Sequence, residues 1–219
     1  MNNFMKRSLS TLLLSGAFFV SGHGMQLEQQ KQAVVPVEKQ QMLNADLIKA
    51  CYAGNAIAVR NLLKAGANPI ACDENGRPAL LCTLQAGHSF IVDGVPDKGL
   101  NLGMINRFTE AGANIDVEDN QGITALIRAV SMACTLDKGI EVIKGILELG
   151  ANIEHRDLLG RTALMAACYH GDIETVKFLL SRGALISTQD KEGKTAFDFV
   201  PRGRIDIITL LGKAGTVIV

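Results

Sequence analysis

The sequence has no tryptophan and only two tyrosines among its 219 residues, and it has no excess of either charge. Lysine plus arginine and aspartate plus glutamate each number 22. A chain without a positive field does not attract nucleic acid or an anionic membrane surface. So few aromatic rings also argue against a platform on which bases stack. We therefore expect no nucleic-acid partner.

Motifs for metal or phosphate binding are also missing. No Cys-x-x-Cys or His-x-x-x-His spacing occurs, and the 22 glycines do not form a phosphate-binding loop. The four histidines are scattered over the chain, at His23, His88, His155 and His170. We expect no cofactor and no metal site.

One long apolar run occurs, close to the N-terminus. Lys6 and Arg7 precede the apolar residues 12–20, and small residues follow. This three-part layout is typical of a secretory signal, and the run is too short to cross a bilayer comfortably. We predict a signal peptide over residues 1–24 and an exported protein, periplasmic or secreted, with an uncleaved N-terminal anchor as the alternative. No other segment is apolar enough, so the mature chain is expected to have no membrane span.

Two short patterns recur along the rest of the chain in the same order. Asp-x-x-Gly occurs four times, with its glycines at 76, 122, 160 and 193. Gly-Ala followed by a turn residue also occurs four times, with its glycines at 66, 112, 150 and 183. Both series have successive intervals of 46, 38 and 33 residues. Two independent markers that move in step indicate one repeating structural unit with insertions.

The unit of residues 157–189 shows what one repeat contains. Two short helical patterns, at about 162–169 and 173–181, lie between its markers. Gly171 separates the two helices, and Thr162 can cap the first. Each unit is therefore predicted to be a helix–turn–helix followed by a loop.

The repeated segments "GRTALMAACYHGD", "GITALIRAV", "GRPALLCTL" and "GKTAFDFV" resemble the ankyrin repeat, a unit of about 33 residues with a Thr-Pro-Leu-His-x-Ala core. They depart from that core by having Ala where Pro is usual and no His in the tetrapeptide. The resemblance covers residues 44–219 and implies an all-α solenoid of about five helix–turn–helix units with hairpin loops. A Gln-rich linker, residues 25–43, precedes it, and a short helix near the end of this linker is left open. The predicted units are 44–72, 73–118, 119–156, 157–189 and 190–219, of which the first and last are atypical, as caps are.

Two units are longer than the basic repeat. The alignment of the markers places the extra residues at about 88–99 and 131–137, between the two helices of their units or as extensions of those helices. They act either as structural filler or as a partner-specific contact.

Cys168 and His170 raise the question of a nucleophile with its base. Cys168 aligns with Cys51, Leu84 and Val130 in the other units, and a slot with these occupants is a packing position. Residues two apart on a helix also point in different directions. We therefore interpret Cys168 as a core residue and predict that the protein is not an enzyme.

The five cysteines leave at least one unpaired thiol in a monomer. Cys51 and Cys82, on first helices of adjacent units, are the candidates for a disulfide if one forms. A thiol-dependent, redox-protective role in the periplasm stays open as an alternative function. A structural scaffold with no single partner is another.

The resemblance to ankyrin repeats implies that a protein partner binds the concave surface made by the hairpin tips and the exposed face of the first helices. Leu158 and Leu159 attract attention because hairpin tips are usually polar. Either both leucines are exposed as an apolar contact, or one folds back onto a neighbouring tip. We expect a monomer that binds an unknown protein, and the candidate binding residues are Arg77, Gln121, Ile123, Leu158, Leu159, Arg161, Tyr169, His170, Lys191 and Lys194.

Overall fold

A computed structural model of the protein describes residues 36–84, 90–92, 95–97, 102–133 and 139–216. The chain divides between Val35 and Pro36, and every described residue belongs to the second unit. The predicted signal peptide lies outside the described residues. Parts of the predicted linker and of both insertions lie outside them as well.

Helices follow one another in pairs, as the repeat pattern predicts. Within a pair, α5 packs on α6 and α7 on α8, and between units α7 packs on α5 and on the 3₁₀ helix of the last unit. The all-α repeat solenoid is thereby confirmed. The pairs are α1 Val37–Tyr52 with α2 Ala56–Lys64, α3 Ala79–Cys82 with α4 Leu102–Glu110, α5 Ala125–Ala133 with α6 Gly139–Glu148, α7 Ala163–His170 with α8 Ile173–Ser181, and the 3₁₀ helix Ala196–Phe199 with α9 Ile205–Thr216.

Both predicted insertions are described in part. A two-stranded antiparallel hairpin lies within the first, where β1 Phe90–Val92 pairs with β2 Val95–Asp97. Sequence analysis predicted no strand there, because such a short apolar segment does not by itself separate strand from helix. At the second insertion, α5 continues to Ala133. Residues 131–133 of the insertion therefore lengthen the first helix of the third unit.

The linker predicted over residues 25–43 ends too late. Helix α1 already begins at Val37, directly after Pro36, so residues 37–43 belong to the first repeat unit. Gln, Glu and Lys are good helix formers. Pro is tolerated at a helix start, because the N–H group that Pro lacks would have no acceptor within the helix at that position. Leu43 packs on the core, and Gln40 Nε2 donates a 2.9 Å hydrogen bond to the Gly66 carbonyl.

The Asp-x-x-Gly turns have one geometry in all four copies. In the third copy, Asp157 Oδ1 accepts the backbone N–H groups of Leu159 and Arg161, each at 2.9 Å. Gly160, at φ +80°, closes the turn in the left-handed region. The other three aspartates accept the equivalent pairs of N–H groups, from Asn75 and Arg77 to Asp73, from Gln121 and Ile123 to Asp119, and from Glu192 and Lys194 to Asp190. These carboxylates therefore build the hairpin tips, as the sequence predicted for turn residues.

The start and end of α7 also follow the sequence. Thr162 is its N-cap, and the Thr162 side chain accepts the N–H of Met165. Gly171 ends the helix at φ +67°. Thr162 is buried, so its hydroxyl caps the helix inside the stack.

Candidate functional site

A groove with a volume of about 270 Å³ opens between the hairpin tips and first helices of the last three units. We call it the C-terminal groove. Four of the ten predicted binding residues line it, namely Ile123, Arg161, Tyr169 and His170. The rest of its lining comes from α5, α7, the turn at Asp157 and Thr162, and the 3₁₀ helix.

The walls of the C-terminal groove are largely apolar because the first helices of these units turn apolar side chains towards it. Ile127 lies on α5, Met165 and Ala166 lie on α7, and Phe199 closes the end of the groove from the last unit. Sequence reasoning missed these four residues. Met165 lies four positions before Tyr169, so the helical repeat could have placed it on the same face.

Tyr169 and His170 form the rim of the C-terminal groove at the end of α7. The Tyr169 side chain is 65% exposed. Its ring meets the His170 ring edge-on, with centroids 5.3 Å apart. An edge-to-face contact of this kind holds two aromatic rings in a defined orientation.

Arg161 is held in the groove by an ion pair. Its Nε lies 2.8 Å and an amino nitrogen 2.7 Å from Oδ2 of Asp157. Asp157 is buried, whereas 43% of the Arg161 side chain is exposed. The pair leaves no excess charge at this point of the groove and keeps the guanidinium in a fixed position.

The hairpin tips of the last three units are joined by main-chain hydrogen bonds. The N–H of Leu158 donates to the carbonyl of Gln121, and the N–H of Lys191 donates to the carbonyl of Leu159, both at 2.9 Å. Gly122 lies against this contact, where a Cβ atom would be 2.8 Å from the nitrogen of Leu158. The tips beside the groove are therefore fixed relative to one another.

The two leucines of the fourth unit's tip are both exposed, Leu158 by 57% and Leu159 by 55%. Of the two arrangements left open by the sequence, the structure shows the exposed pair. More than half of each side chain stays uncovered by the neighbouring tips, and both leucines follow the buried Asp157 on the outer turn of the hairpin.

The remaining predicted residues do not line the C-terminal groove. Gln121, Lys191 and Lys194 are exposed at the tips of their units, and the Lys194 ammonium lies 2.6 Å from a carboxylate oxygen of Glu192. Arg77 is half-buried at the tip of the second unit. The predicted set is thus divided between a groove and a row of tips.

The thiols of the first helices are packing groups. Cys51, Leu84, Val130 and Cys168 are each at most 1% exposed, so the aligned slot is buried in the first four units. Burial raises the pKa of the Cys168 thiol to about 12. Because the thiolate is the reactive form, and because His170 lies on the exposed side of α7, the two do not form a nucleophile and its base.

Cys51 and Cys82, the candidates for a disulfide, are both free thiols. Burial raises the pKa of Cys82 to about 11. Cys72 is the exposed thiol among the described cysteines.

In the part of the chain that the structure covers, no group of three His, Cys, Asp or Glu side chains is arranged to hold a metal ion. None of the described helices is both long and apolar enough to cross a membrane.

Comparison with known families agrees with the repeat geometry. A family model for ankyrin repeats, found in three copies, matches residues 95–190 and 131–218, which together make up more than half of the chain. A comparison with curated proteins found no match.

Proposed function

Because the chain belongs to the ankyrin-repeat family, whose members generally act by binding other proteins, we propose that it is a non-catalytic interaction module. It binds a protein partner through the C-terminal groove and the tip residues beside it. One observation carries this proposal, namely that a largely apolar groove lies beside Leu158, Leu159 and Tyr169, all more than half exposed.

Large exposed apolar side chains that lie close together are typical of interaction surfaces. Binding energy at such surfaces concentrates in a few aromatic, arginine and packed apolar residues. Tyr169 and Arg161 are of this kind, and Leu158 and Leu159 add apolar area at the neighbouring tip. A partner that inserts apolar side chains into the groove would cover all four residues.

The rigid tips support the same proposal through the cost of binding. Ordering loops and side chains on association reduces affinity, so a surface that is already ordered binds more tightly. The hydrogen bonds from Leu158 to Gln121 and from Lys191 to Leu159 order the tips, and the Asp157 carboxylate orders Arg161. Little of this surface would need to rearrange when a partner binds.

Export is a separate part of the proposal, and the N-terminal sequence supports it. A basic start, an apolar run and small residues make up residues 1–24. We expect the mature protein to start after Gly22 or Gly24 and to act in the periplasm or the secreted space. Cell fractionation with N-terminal sequencing tests this. An intact N-terminus on protein recovered with the membranes would indicate the anchor instead.

The binding surface is tested with a double variant, Leu158→Asp/Leu159→Asp. Proteins that co-purify with the wild-type chain from its native compartment are quantified and compared with those recovered by the variant. We expect the specific partner to be recovered at least about tenfold less, because two charges replace the apolar contact. Ile205→Asp is the matched control, since Ile205 is 71% exposed on α9 and outside the groove. Equal recovery by the double variant and the control would refute the proposed surface.

A further inference from the structure

The row of hairpin tips that contact one another begins at the second unit, which has no tip before it. Each later tip contacts the tip before it through the residue that follows its turn aspartate. These contacts run from Asn120 Nδ2 to the Asn75 carbonyl, from the Leu158 N–H to the Gln121 carbonyl, and from the Lys191 N–H to the Leu159 carbonyl. Glu74 has the equivalent position in the second unit, and its backbone N–H has no acceptor among the residues that the structure describes.

Asn120 reaches the tip before it through its side chain, whereas the first unit has no hairpin tip at all. It lacks the Asp-x-x-Gly turn, and α1 continues as a helix back to Val37 instead. Where a tip of the first unit would lie, a second groove of about 510 Å³ opens between α1 and the tip of the second unit. We call it the N-terminal groove. Ala45, Ile48 and Tyr52 of α1 line one side, and Cys72, Asp73 and Glu74 line the other.

The N-terminal groove has an excess of negative charge. Asp73 and Glu74 contribute two carboxylates, while the ammonium of Lys49 lies 3.6 Å from the carboxylate of Asp46. Asp73 is committed to the fold, because its Oδ1 holds the turn and its Oδ2 accepts the Tyr52 hydroxyl. The exposed carboxylate of Glu74 is the one available to a ligand.

We propose that the N-terminal groove binds an extended segment of a partner protein that carries a lysine or arginine, in the place of the missing tip. A backbone carbonyl of the segment accepts the N–H of Glu74, as the carbonyls of Gln121 and Leu159 do for later tips. Its small apolar side chains lie against Ala45 and Ile48, and its cation lies beside the Glu74 carboxylate. This is recognition by addition of an extended segment to an open main-chain edge.

The inference goes beyond the proposed function, because it concerns a different surface and specifies the partner's chemistry. The two can fail separately. The variant Leu158→Asp/Leu159→Asp alters the tip beside the C-terminal groove, does not touch the N-terminal groove, and should bind the basic segment as the wild type does.

Cys72 allows a test with defined probes, because its exposed thiol lines the N-terminal groove. The probes are three acetylated tripeptides, Val-Lys-Val, Val-norleucine-Val and Val-Glu-Val, each carrying the same short disulfide linker. The full chain is used with Cys134→Ser, since Cys134 lies outside the described residues. The fraction of protein joined to each peptide is measured by intact mass at equilibrium with a thiol reductant, and Cys72→Ser shows the background.

We expect the lysine peptide to be retained about fivefold better than the glutamate peptide, with norleucine between them, as an exposed ion pair allows. Glu74→Gln should bring the ratio close to one, and Glu74→Lys should invert it. Both changes are at an exposed position and leave the turn hydrogen bonds of Asp73 in place. In the lysine conjugate, hydrogen exchange of the Glu74 amide should slow at least about tenfold, since it gains an acceptor.

Equal retention of the lysine and glutamate peptides would overturn the proposal, and so would an unchanged exchange rate at Glu74. Exchange is also measured on the free chain at several protein concentrations. Protection of the Glu74 amide that grows with concentration would mean that a second copy occupies the groove, which also overturns the proposal.

Discussion

The backbone N–H of Leu158 donates a 2.9 Å hydrogen bond to the carbonyl oxygen of Gln121. This contact joins the tips of two successive repeat units. It depends on Gly122, whose lack of a side chain lets the two tips approach each other. Gly122 has φ +71°, and a Cβ atom on it would lie 2.8 Å from the nitrogen of Leu158. These two hairpin tips are thus coupled through main-chain atoms, and this contact does not depend on the tip side chains.

Replacement of Gly122 by Ala should weaken this coupling. An alanine in the left-handed region costs about 1 to 2 kcal/mol. Loss of the tip contact should add about 1 kcal/mol to the destabilisation. The matched control is Gly193→Ala, because Gly193 has φ +78° with no atom near its Cβ position. Urea unfolding of both variants measures the difference, and equal losses of stability would show that the tips do not support each other.

The cap of α7 should contribute to stability through a single oxygen. The Thr162 hydroxyl accepts the Met165 N–H, and Thr162→Ala should lower the free energy of unfolding by about 1 kcal/mol. Thr162→Ser keeps the oxygen and should retain most of that stability. Chemical denaturation gives both values, and a serine variant as unstable as the alanine variant would attribute the loss to the methyl group.

The cysteines should differ sharply in reactivity. Cys51, Cys82 and Cys168 are buried, and burial raises the pKa of each thiol, so they should alkylate only after unfolding. Cys72 is exposed and should alkylate in the folded protein, although partial burial of its thiol and the nearby Asp73 carboxylate raise the pKa of this thiol. Iodoacetamide labelling with peptide mapping separates the four sites. Rapid labelling of Cys168 in the native protein would favour the thiol-dependent role over the packing interpretation.

Acid should weaken the contact between the first and second units. Partial burial alone would raise the pKa of Asp73, but hydrogen bonds from Tyr52 and from the Arg77 and Asn75 amides lower it overall. A carboxyl group whose pKa is lower in the folded state stabilises the fold above its unfolded pKa, and that stability is lost as the pH falls through the folded value.

Tyr52→Phe removes the hydrogen bond to Asp73 and should reduce this acid sensitivity. We expect the free energy of unfolding of the wild type to fall more steeply below about pH 4, the ordinary pKa of an aspartate, than that of the variant. Urea titrations between pH 3 and 7 compare the two slopes. Parallel slopes would mean that the hydroxyl does not help to ionise Asp73.

The repeat architecture could be read from the chain because it depends on local signals. Asp157 and Gly160 specify a turn through their own backbone geometry, and Thr162 and Gly171 specify where a helix starts and stops. The packing of Cys168 was also predictable, since an aligned slot that holds Cys, Leu and Val has one common property, which is burial. Helix α1 was misjudged because its first turns carry polar helix formers with no repeat marker to count from.

The amino-acid sequence by itself determined the type of repeat and the order and approximate bounds of the helices after Asn44, because turns, caps and helical spacing act over a few residues. Only the tertiary structure decided which side chains share a groove. Ile123, Tyr169 and Phe199 come from three different units, and their distance in space depends on how the units stack. It also decided that Leu158 and Leu159 stay exposed although a tip lies on either side of them, and that no described residue accepts the Glu74 N–H.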